Sequence, residues 1–237
     1  MTAAGLLAVL TLVSWNARVH RTPADVARAL VEYVDRHDHP KVIVLHEARE
    51  YVAAVRAGLP GYRVYAWRRG GPKSANTFVL VRRDLRVTYW SRLRMATAWV
   101  GPKGGVQPGR VFPIVDIGGR GGYRIVGVHR STAAGNASAR AEEFAALLKL
   151  AARRSTRRRT LVIVGDLNGS ATSMAPGSPG DLARRIGGHV VPGDGPDMAV
   201  VRDADGTGTP GPALGSDHRL VAYKFTRRSL GTKEATR

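Results

Sequence analysis

Short apolar runs rich in Val, Ile and Leu recur along the whole chain of 237 residues. They are too short for ordinary helices and end at Gly, Pro, Asn or Asp, which is typical of buried β-strands. This pattern requires a fold in which several strands are covered on both faces. The predicted strands are residues 6–14, 42–45, 62–67, 78–82, 87–90, 111–117, 123–129, 161–165, 198–201 and 220–225.

Helical periodicity separates some of these strands. Residues 22–25 read TPAD, which supplies an N-cap, a proline at the first helical position and an acidic residue in the first turn. Val26, Leu30 and Val34 then recur every four residues and define one buried face. Further helices are predicted at 139–153, at 181–186, and after Glu47 up to the Gly-Leu-Pro at 58–60.

The order of these elements favours an α/β fold with two packed mixed β-sheets and helices on the outside, rather than one doubly wound sheet. No repeat or linker interrupts the pattern, so we expect a single domain over residues 1–226. Residues 227–237 are polar and basic and are predicted to form a flexible tail.

Composition limits the partners of this chain. A formal net charge of +19 attracts polyanions such as nucleic acid, anionic membranes or phosphorylated substrates, although a genomic bias toward Arg would give the same excess. The absence of cysteine excludes disulfides and thiolate metal sites. The apolar run from Ala3 to Val13 is too short to span a bilayer and follows no basic residue, so it is interpreted as a core strand. We expect a cytoplasmic monomer without stable membrane association. If the N-terminal run were instead an export signal, the chain would be a secreted, toxin-like nuclease.

Polar side chains with catalytic potential stand at the ends of the apolar runs. The stretch LVIVGDLNGS places Asp166 and Asn168 after a strand, two residues apart, where strand alternation would point both side chains the same way. Residues at one rim of a sheet converge in space, and α/β folds place ligands there. Asn16, Glu47, His129, Asp217 and His218 occupy similar positions.

Five short motifs in order resemble the endonuclease/exonuclease/phosphatase superfamily, which has the deoxyribonuclease-I-like fold. They are SWN at 14–16, LHE at 45–47, GVHR at 127–130, GDLN at 165–168 and SDH at 216–218. Each motif alone is weak, but five in order after apolar runs are specific. The resemblance implies a four-layer sandwich and metal-dependent hydrolysis of a phosphate ester.

The resemblance also implies a site for Mg²⁺ or Mn²⁺. Mg²⁺ prefers oxygen ligands and keeps several waters, so one or two carboxylates suffice. Glu47 is the first candidate ligand, Asn16 is expected beside it as ligand or orienter, and Asp217 is expected to close the site. Read singly, Asn16 and Asp217 could each serve a turn, and Glu47 could complement a helix dipole.

The roles of the catalytic residues follow the same resemblance. His218 is the candidate general base for water, and Asp197 is expected to orient it, although the Arg and Tyr that usually flank this Asp are missing. Asp166 and Asn168 would bind the attacking water or the scissile phosphate. His129 would donate a hydrogen bond to a phosphate oxygen or protonate the leaving group.

Four further residues are expected to bind substrate. Arg110 opens a strand where relatives often place an Arg near the site, and Asn76 replaces a Tyr and Glu found in some relatives. Arg68 and Arg69 lie in a loop, residues 67–73, that combines an aromatic residue with cations. A second basic run lies between helix 139–153 and the strand at 161–165, and it could be a solvated loop or a DNA contact.

These observations together predict a metal-dependent phosphodiester hydrolase, a nuclease that prefers DNA over RNA. The nearest enzymatic alternative is a phosphatase or phosphodiesterase acting on phosphoinositides or other phosphorylated small molecules. A catalytically silent nucleic-acid-binding module is the alternative of another class.

Overall fold

The computed structural model describes residues 8–17, 22–65, 76–101, 104–119, 121–132, 135–214 and 216–228. Its strands are β1 Val9–Asn16, β2 Val42–His46, β3 Tyr62–Tyr65, β4 Phe78–Arg82, β5 Val87–Arg94, β6 Trp99–Val100, β7 Val106–Gln107, β8 Val111–Ile117, β9 Tyr123–His129, β10 Thr160–Asp166, β11 His189–Asp194, β12 Asp197–Arg202, β13 Ala204–Pro210 and β14 Val221–Arg227. Its helices are α1 Pro23–Arg36, α2 Val52–Gly58, α3 Ala137–Ala152, α4 Arg154–Arg157 and α5 Pro179–Ile186.

Two six-stranded mixed sheets form the centre of the fold. The first has the strand order β13-β14-β1-β2-β4-β3, and the second has the order β11-β12-β10-β9-β8-β5. One pair in each sheet is parallel, β1 with β2 and β9 with β10, and the other neighbours are antiparallel. The two parallel pairs matter for function because they bring the ends of four strands to one rim.

Apolar residues fill three layers between and around these sheets. Along β1, Leu10 and Leu12 point into the space between the sheets, whereas Val13 and Trp15 point outward under α1 and α2. A third cluster lies between the second sheet and helices α3 and α5. Because both faces of the central strands are covered, these strands are apolar along their whole length. The predicted four-layer arrangement of two mixed sheets between helices is confirmed.

Local signals place α1 where the sequence predicts it. The Thr22 hydroxyl accepts a hydrogen bond from the Asp25 amide at 3.3 Å, and Pro23 occupies the first turn. Leu30 and Val34 are fully buried. Helices α3 and α5 each begin two residues earlier than predicted. Helix α5 starts at Pro179 because the side chain of the N-cap residue Ser178 accepts a hydrogen bond from the Asp181 amide.

Several elements were not expected from the sequence. Strands β11 and β13 contain Gly, Pro and Asp, which have low strand propensity, and the β6–β7 hairpin and α4 are very short. Strand β14 continues to Arg227, and Arg228 pairs with Asp205, so the predicted tail begins later than residue 227. The rest of that tail lies outside the described residues. Among the described helices, none has the length and apolarity needed to cross a membrane.

Candidate active site

Strand register brings the predicted residues to one rim of the sandwich. On β10, Asp166 lies opposite His129 of parallel β9 and opposite Asp197 of antiparallel β12. In the other sheet, Asn16 at the end of β1 lies opposite the last residue of β2, immediately before Glu47. The Asn16 amide Nδ2 donates to Asp166 Oδ2 at 3.3 Å, and this buried contact joins the two sheets.

His129 is surrounded by charged groups. Its Nε2 lies 3.6 Å from Glu47 Oε1 and 3.8 Å from Asp166 Oδ2. On the other side of the ring, Arg110 Nη1 lies 3.5 Å from Nδ1, and the Arg110 guanidinium stacks 3.7 Å above the centre of the Trp99 ring. The cluster therefore holds two carboxylates, an imidazole and a guanidinium together, which suits a phosphate group and a cation bound side by side.

Burial perturbs the carboxylate at the centre of this cluster. It raises the pKa of Asp166 to about 6, and the nearby Asp197 carboxylate adds to the rise. Burial also lowers the pKa of Arg110 to about 10, which still leaves the guanidinium charged at neutral pH. The site thus presents a fixed cation beside a carboxyl group that titrates in mild acid.

Asn168 is positioned by a tight turn and not by strand alternation, so that part of the prediction is wrong. Strand β10 ends at Asp166, and Asn168 has a positive φ of 46°. Its backbone N–H donates to Asp166 Oδ1 at 3.0 Å, and its side-chain Nδ2 donates to the Arg130 carbonyl at 2.6 Å. Arg140 Nη1 holds the Asn168 carbonyl at 3.1 Å. This network keeps Asn168 next to Asp166.

His218 forms a hydrogen-bonded pair with Asp197, in which the carboxylate is buried and the imidazole is partly exposed. Asp197 Oδ2 lies 2.6 Å from His218 Nδ1, which places the proton on Nδ1 and leaves Nε2 as the reactive nitrogen. This hydrogen bond raises the pKa of His218 to about 9. The Ser216 hydroxyl accepts from the His218 backbone amide at 3.1 Å and donates to the Asn16 carbonyl at 2.7 Å, so the His218 loop is fastened to β1.

The remaining predicted residues are placed less tightly. Asp217 is exposed beside His218, and its carboxylate contributes to the raised pKa of that histidine. The Asn76 carbonyl accepts from the Ala48 amide at 3.1 Å, next to Glu47. Its side-chain Oδ1 is buried without a hydrogen-bond partner in the part of the chain that the structure describes. Arg68 and Arg69 lie outside the described residues.

Glu47 is not a helix-terminal carboxylate. Helix α2 begins at Val52, five residues later, and Glu47 follows the end of β2 with a positive φ of 52°. The interpretation of Glu47 as a partner of the helix dipole is therefore excluded by distance along the chain.

His46 is a part of this site that the sequence did not reveal. It is fully buried under His129, with the two ring centres 6.1 Å apart. Its Nε2 lies 3.2 Å from Ser14 Oγ and its Nδ1 lies 3.3 Å from Thr77 Oγ1. Burial lowers the pKa of His46 to about 3, so the ring is neutral and acts as a rigid support. A histidine inside an otherwise apolar strand was the signal that could have indicated this role.

The donor atoms of the rim fit a hard divalent cation. Among the described residues there is no cluster of three or more His, Asp or Glu side chains arranged to hold a metal ion. A site of Glu47 with the Asn16 amide needs fewer carboxylates, since Mg²⁺ retains several waters and takes one or two protein carboxylates. The Asn16–Asp166 hydrogen bond fixes the orientation of that amide.

Solved structures share this fold at low sequence identity. D. rerio TDP2 complexed with single strand DNA product is 15% identical with a TM-score of 0.65, covering 92% of this chain and 98% of that one. The human Nocturnin catalytic domain with bound sulfate anion is 13% identical with a TM-score of 0.67, covering 92% and 93%. SmcL is 14% identical with a TM-score of 0.62, covering 92% and 99%.

Sequence comparison agrees with the fold. No match to this chain was found among the curated proteins. The model of the Endonuclease/Exonuclease/phosphatase family matches residues 13–221, which include every candidate site residue named above. By this match, and in agreement with the resemblance of its five motifs, the chain belongs to the Endonuclease/Exonuclease/phosphatase family.

Proposed function

We propose that this chain is a divalent-cation-dependent phosphodiester hydrolase, a nuclease that acts on DNA. The observation that supports the proposal most strongly is the placement of two functional units on one rim. One is the Asp197–His218 pair, and the other is the cluster of Glu47, His129 and Asp166. The first unit can take a proton from water, and the second, with a divalent cation bound and the Arg110 guanidinium beside it, can hold a phosphate.

The proposed reaction is attack of water on phosphorus. His218 Nε2 accepts a proton from the water as its oxygen bonds to phosphorus, while Asp197 holds the resulting imidazolium. Asp166 and Asn168 position the water or the scissile phosphate. The bond from phosphorus to the leaving oxygen breaks, and that oxygen takes up a proton from solvent or from His129.

Arg110 gives the site a fixed positive charge. Its guanidinium is held against Trp99 and beside His129, so it can stabilise the negative charge that develops on the phosphate oxygens. Because its orientation is set before substrate binds, little reorganisation is needed during the reaction. Asn76, with its buried and unpaired Oδ1 in the described part of the chain, is proposed to contact substrate from the same side.

The residues that we propose to hold Mg²⁺ or Mn²⁺ are Glu47 and Asn16, with Asp217 completing the set. When bound, such a cation supplies positive charge to the phosphate oxygens and to the leaving oxygen. Glu47 is partly exposed, with 28% of its side-chain surface accessible, so it is reachable by a hydrated ion.

The proposed substrate is nucleic acid, with DNA preferred. A net charge of +19 favours a long polyanion over a small phosphorylated molecule. D. rerio TDP2, which shares this fold, has been solved in complex with a single strand DNA product, and this supports DNA as the proposed substrate. Arg68 and Arg69 are proposed to contact the phosphate backbone.

A plasmid assay tests the proposal. Supercoiled plasmid with Mg²⁺ should become nicked, and EDTA should stop the reaction. His218→Ala and Asp166→Ala should each slow nicking by about a hundredfold or more while the circular dichroism spectrum is retained. His189→Ala is the matched control, because His189 lies at the opposite end of the same sheet, paired with Val201. Wild-type nicking rates in His218→Ala and Asp166→Ala, as in the His189→Ala control, would refute the proposed site.

A substrate panel then separates the nuclease from the alternatives. Plasmid, single-stranded DNA, RNA, inositol phosphates and a phosphomonoester are compared with and without divalent cation. Faster turnover of an inositol phosphate or a phosphomonoester than of DNA would overturn the proposed substrate class. DNA binding without any turnover would favour the silent module.

A further inference from the structure

A second basic cavity lies at the opposite end of the second sheet from the active site. It has a volume of about 470 Å³ and is formed by β5, β8, β9 and the segment that joins α3 to β10. On β10, Leu161 pairs with Arg124 of this cavity, five residues before Asp166. At about 3.3 Å per residue, the two sites are roughly 17 Å apart along the strand.

A buried ion pair forms the floor of this cavity. Arg124 Nε and Nη2 each donate to one oxygen of Asp116 at 2.7 Å, and both side chains are at least 95% buried. Arg159 Nε approaches the same carboxylate at 3.2 Å. One carboxylate therefore serves two guanidinium groups, so the floor keeps a surplus positive charge in a fixed geometry.

The mouth of the cavity carries two further cations. Arg153 and Arg158 are exposed and line the opening. Within the described ranges, neither side chain has a hydrogen-bond or ion-pair partner. Arg153 ends α3 through its backbone amide, which donates to the Leu150 carbonyl at 3.2 Å, and Arg202 donates to the Ala151 carbonyl at 3.2 Å, so the side chains of Arg153 and Arg158 are not used to cap this helix.

An exposed aromatic ring forms one wall. Tyr89 on edge strand β5 has 47% of its surface accessible, and the Arg124 guanidinium carbon lies 5.7 Å from the ring centre. Unpaired cations beside an exposed aromatic ring bind a nucleic-acid strand well, because the cations hold phosphates and the ring stacks on a base. An isolated phosphate or an acidic peptide would not need the ring.

We infer that this cavity is a second nucleic-acid site, in which Arg153 and Arg158 hold the backbone of a single strand and Tyr89 stacks on a base. Its role is to retain a long substrate while the distant rim cleaves it. The inference rests on the proposed function only in taking nucleic acid as the polyanion. It predicts that the cavity affects affinity for long strands and leaves hydrolysis of a small diester unchanged.

The test measures the binding of a fluorescein-labelled twelve-nucleotide oligothymidine to the full chain in EDTA, with fluorescence anisotropy as the readout. The double variant Arg153→Ala/Arg158→Ala should weaken binding at least about tenfold. It should also reduce the slope of the logarithm of the binding constant against the logarithm of the salt concentration by about one to two. Tyr89→Ala should weaken binding by about fivefold or more, whereas Tyr89→Phe keeps the ring and should bind as the wild type does.

A charge-matched control guards against a general effect of lost charge. Arg28→Ala/Arg56→Ala removes two exposed cations from α1 and α2, on the far side of the other sheet. An equal loss of binding in this control, or no loss in the cavity variants, would overturn the inference. So would a Tyr89→Ala variant that binds like Tyr89→Phe.

Hydrolysis of bis(4-nitrophenyl) phosphate with Mg²⁺ separates this inference from the proposed function. Unchanged hydrolysis in folded cavity variants, together with weaker oligonucleotide binding, supports the second site. If the wild type hydrolyses neither the diester nor DNA, the proposed function fails. The binding experiment would still show whether the cavity binds single-stranded nucleic acid.

Discussion

The hydrogen bond between Asp197 and His218 should control the charge of the proposed general base. Asp197→Asn keeps the shape of the side chain but removes its negative charge. The hydrogen bond and charge of Asp197 are the main causes that raise the pKa of His218 to about 9, and burial opposes them. Without the carboxylate, we expect this pKa to fall to near the ordinary value of 6.5. A fall of this size corresponds to about 3 kcal/mol.

Nitrogen-15 NMR of the imidazole rings in EDTA measures this change directly. At pH 7.5 the wild-type His218 should be about 97% protonated, and the Asp197→Asn variant only about one tenth protonated. Asp217→Asn is the matched control, because Asp217 is the weakest cause of the raised pKa, and its loss should move the titration only slightly. An unchanged titration of His218 in Asp197→Asn would refute the reasoning.

The same pair links stability to pH. The folded-state pKa of His218 is raised, so the pair stabilises the fold fully below about pH 6.5, and this contribution is lost as the pH rises through about 9. Urea unfolding of the wild type should therefore show an alkaline loss of stability over this range. Asp197→Asn should be less stable at pH 6.5 and should lose less between pH 6.5 and pH 9.

Three further predictions concern the rate and the support under the site. Plasmid nicking should accelerate with pH up to about 9, as measured from initial rates, because only neutral His218 accepts a proton. Gly165→Ala should abolish soluble folded protein, judged by circular dichroism, since its Cβ would lie 2.2 Å from the Val128 carbonyl oxygen and 2.3 Å from the His46 ring. Burial lowers the pKa of His46 to about 3, so between about pH 6.5 and pH 3 the unfolded state binds a proton that the folded state does not. Over that window the wild type should lose about 1.4 kcal/mol of stability per pH unit, measured by urea unfolding, and His46→Gln should not show this loss.

The sequence predicted the layers of the fold because the central strands are apolar and β-branched on both faces. Strand β10 is an example, since its residues from Leu161 to Val164 alternate between two different cores and are all apolar. Strands β11 and β13 were missed because tertiary pairing at the sheet edge, and not local propensity, holds their Gly and Pro residues extended.

The candidate site could be proposed from the sequence because Asn16, Glu47, His129 and Asp166 each stand at the end of an apolar run. Register then brings these ends together, as when Asp166 meets both His129 and Asp197. What the sequence could not supply was the support behind them. The buried His46 and the turn conformation of Asn168 depend on packing between strands that are distant in the chain.

The proposed cation site at Glu47 is tested by the dependence of plasmid nicking on Mg²⁺ concentration in Glu47→Gln. This variant should need more Mg²⁺ and should nick at least about a hundredfold more slowly at saturation, because it removes the proposed carboxylate ligand beside His129. Glu50→Gln, an exposed neighbour three residues along, should behave as the wild type does. Wild-type nicking by Glu47→Gln at every Mg²⁺ concentration would show that Glu47 does not hold the cation.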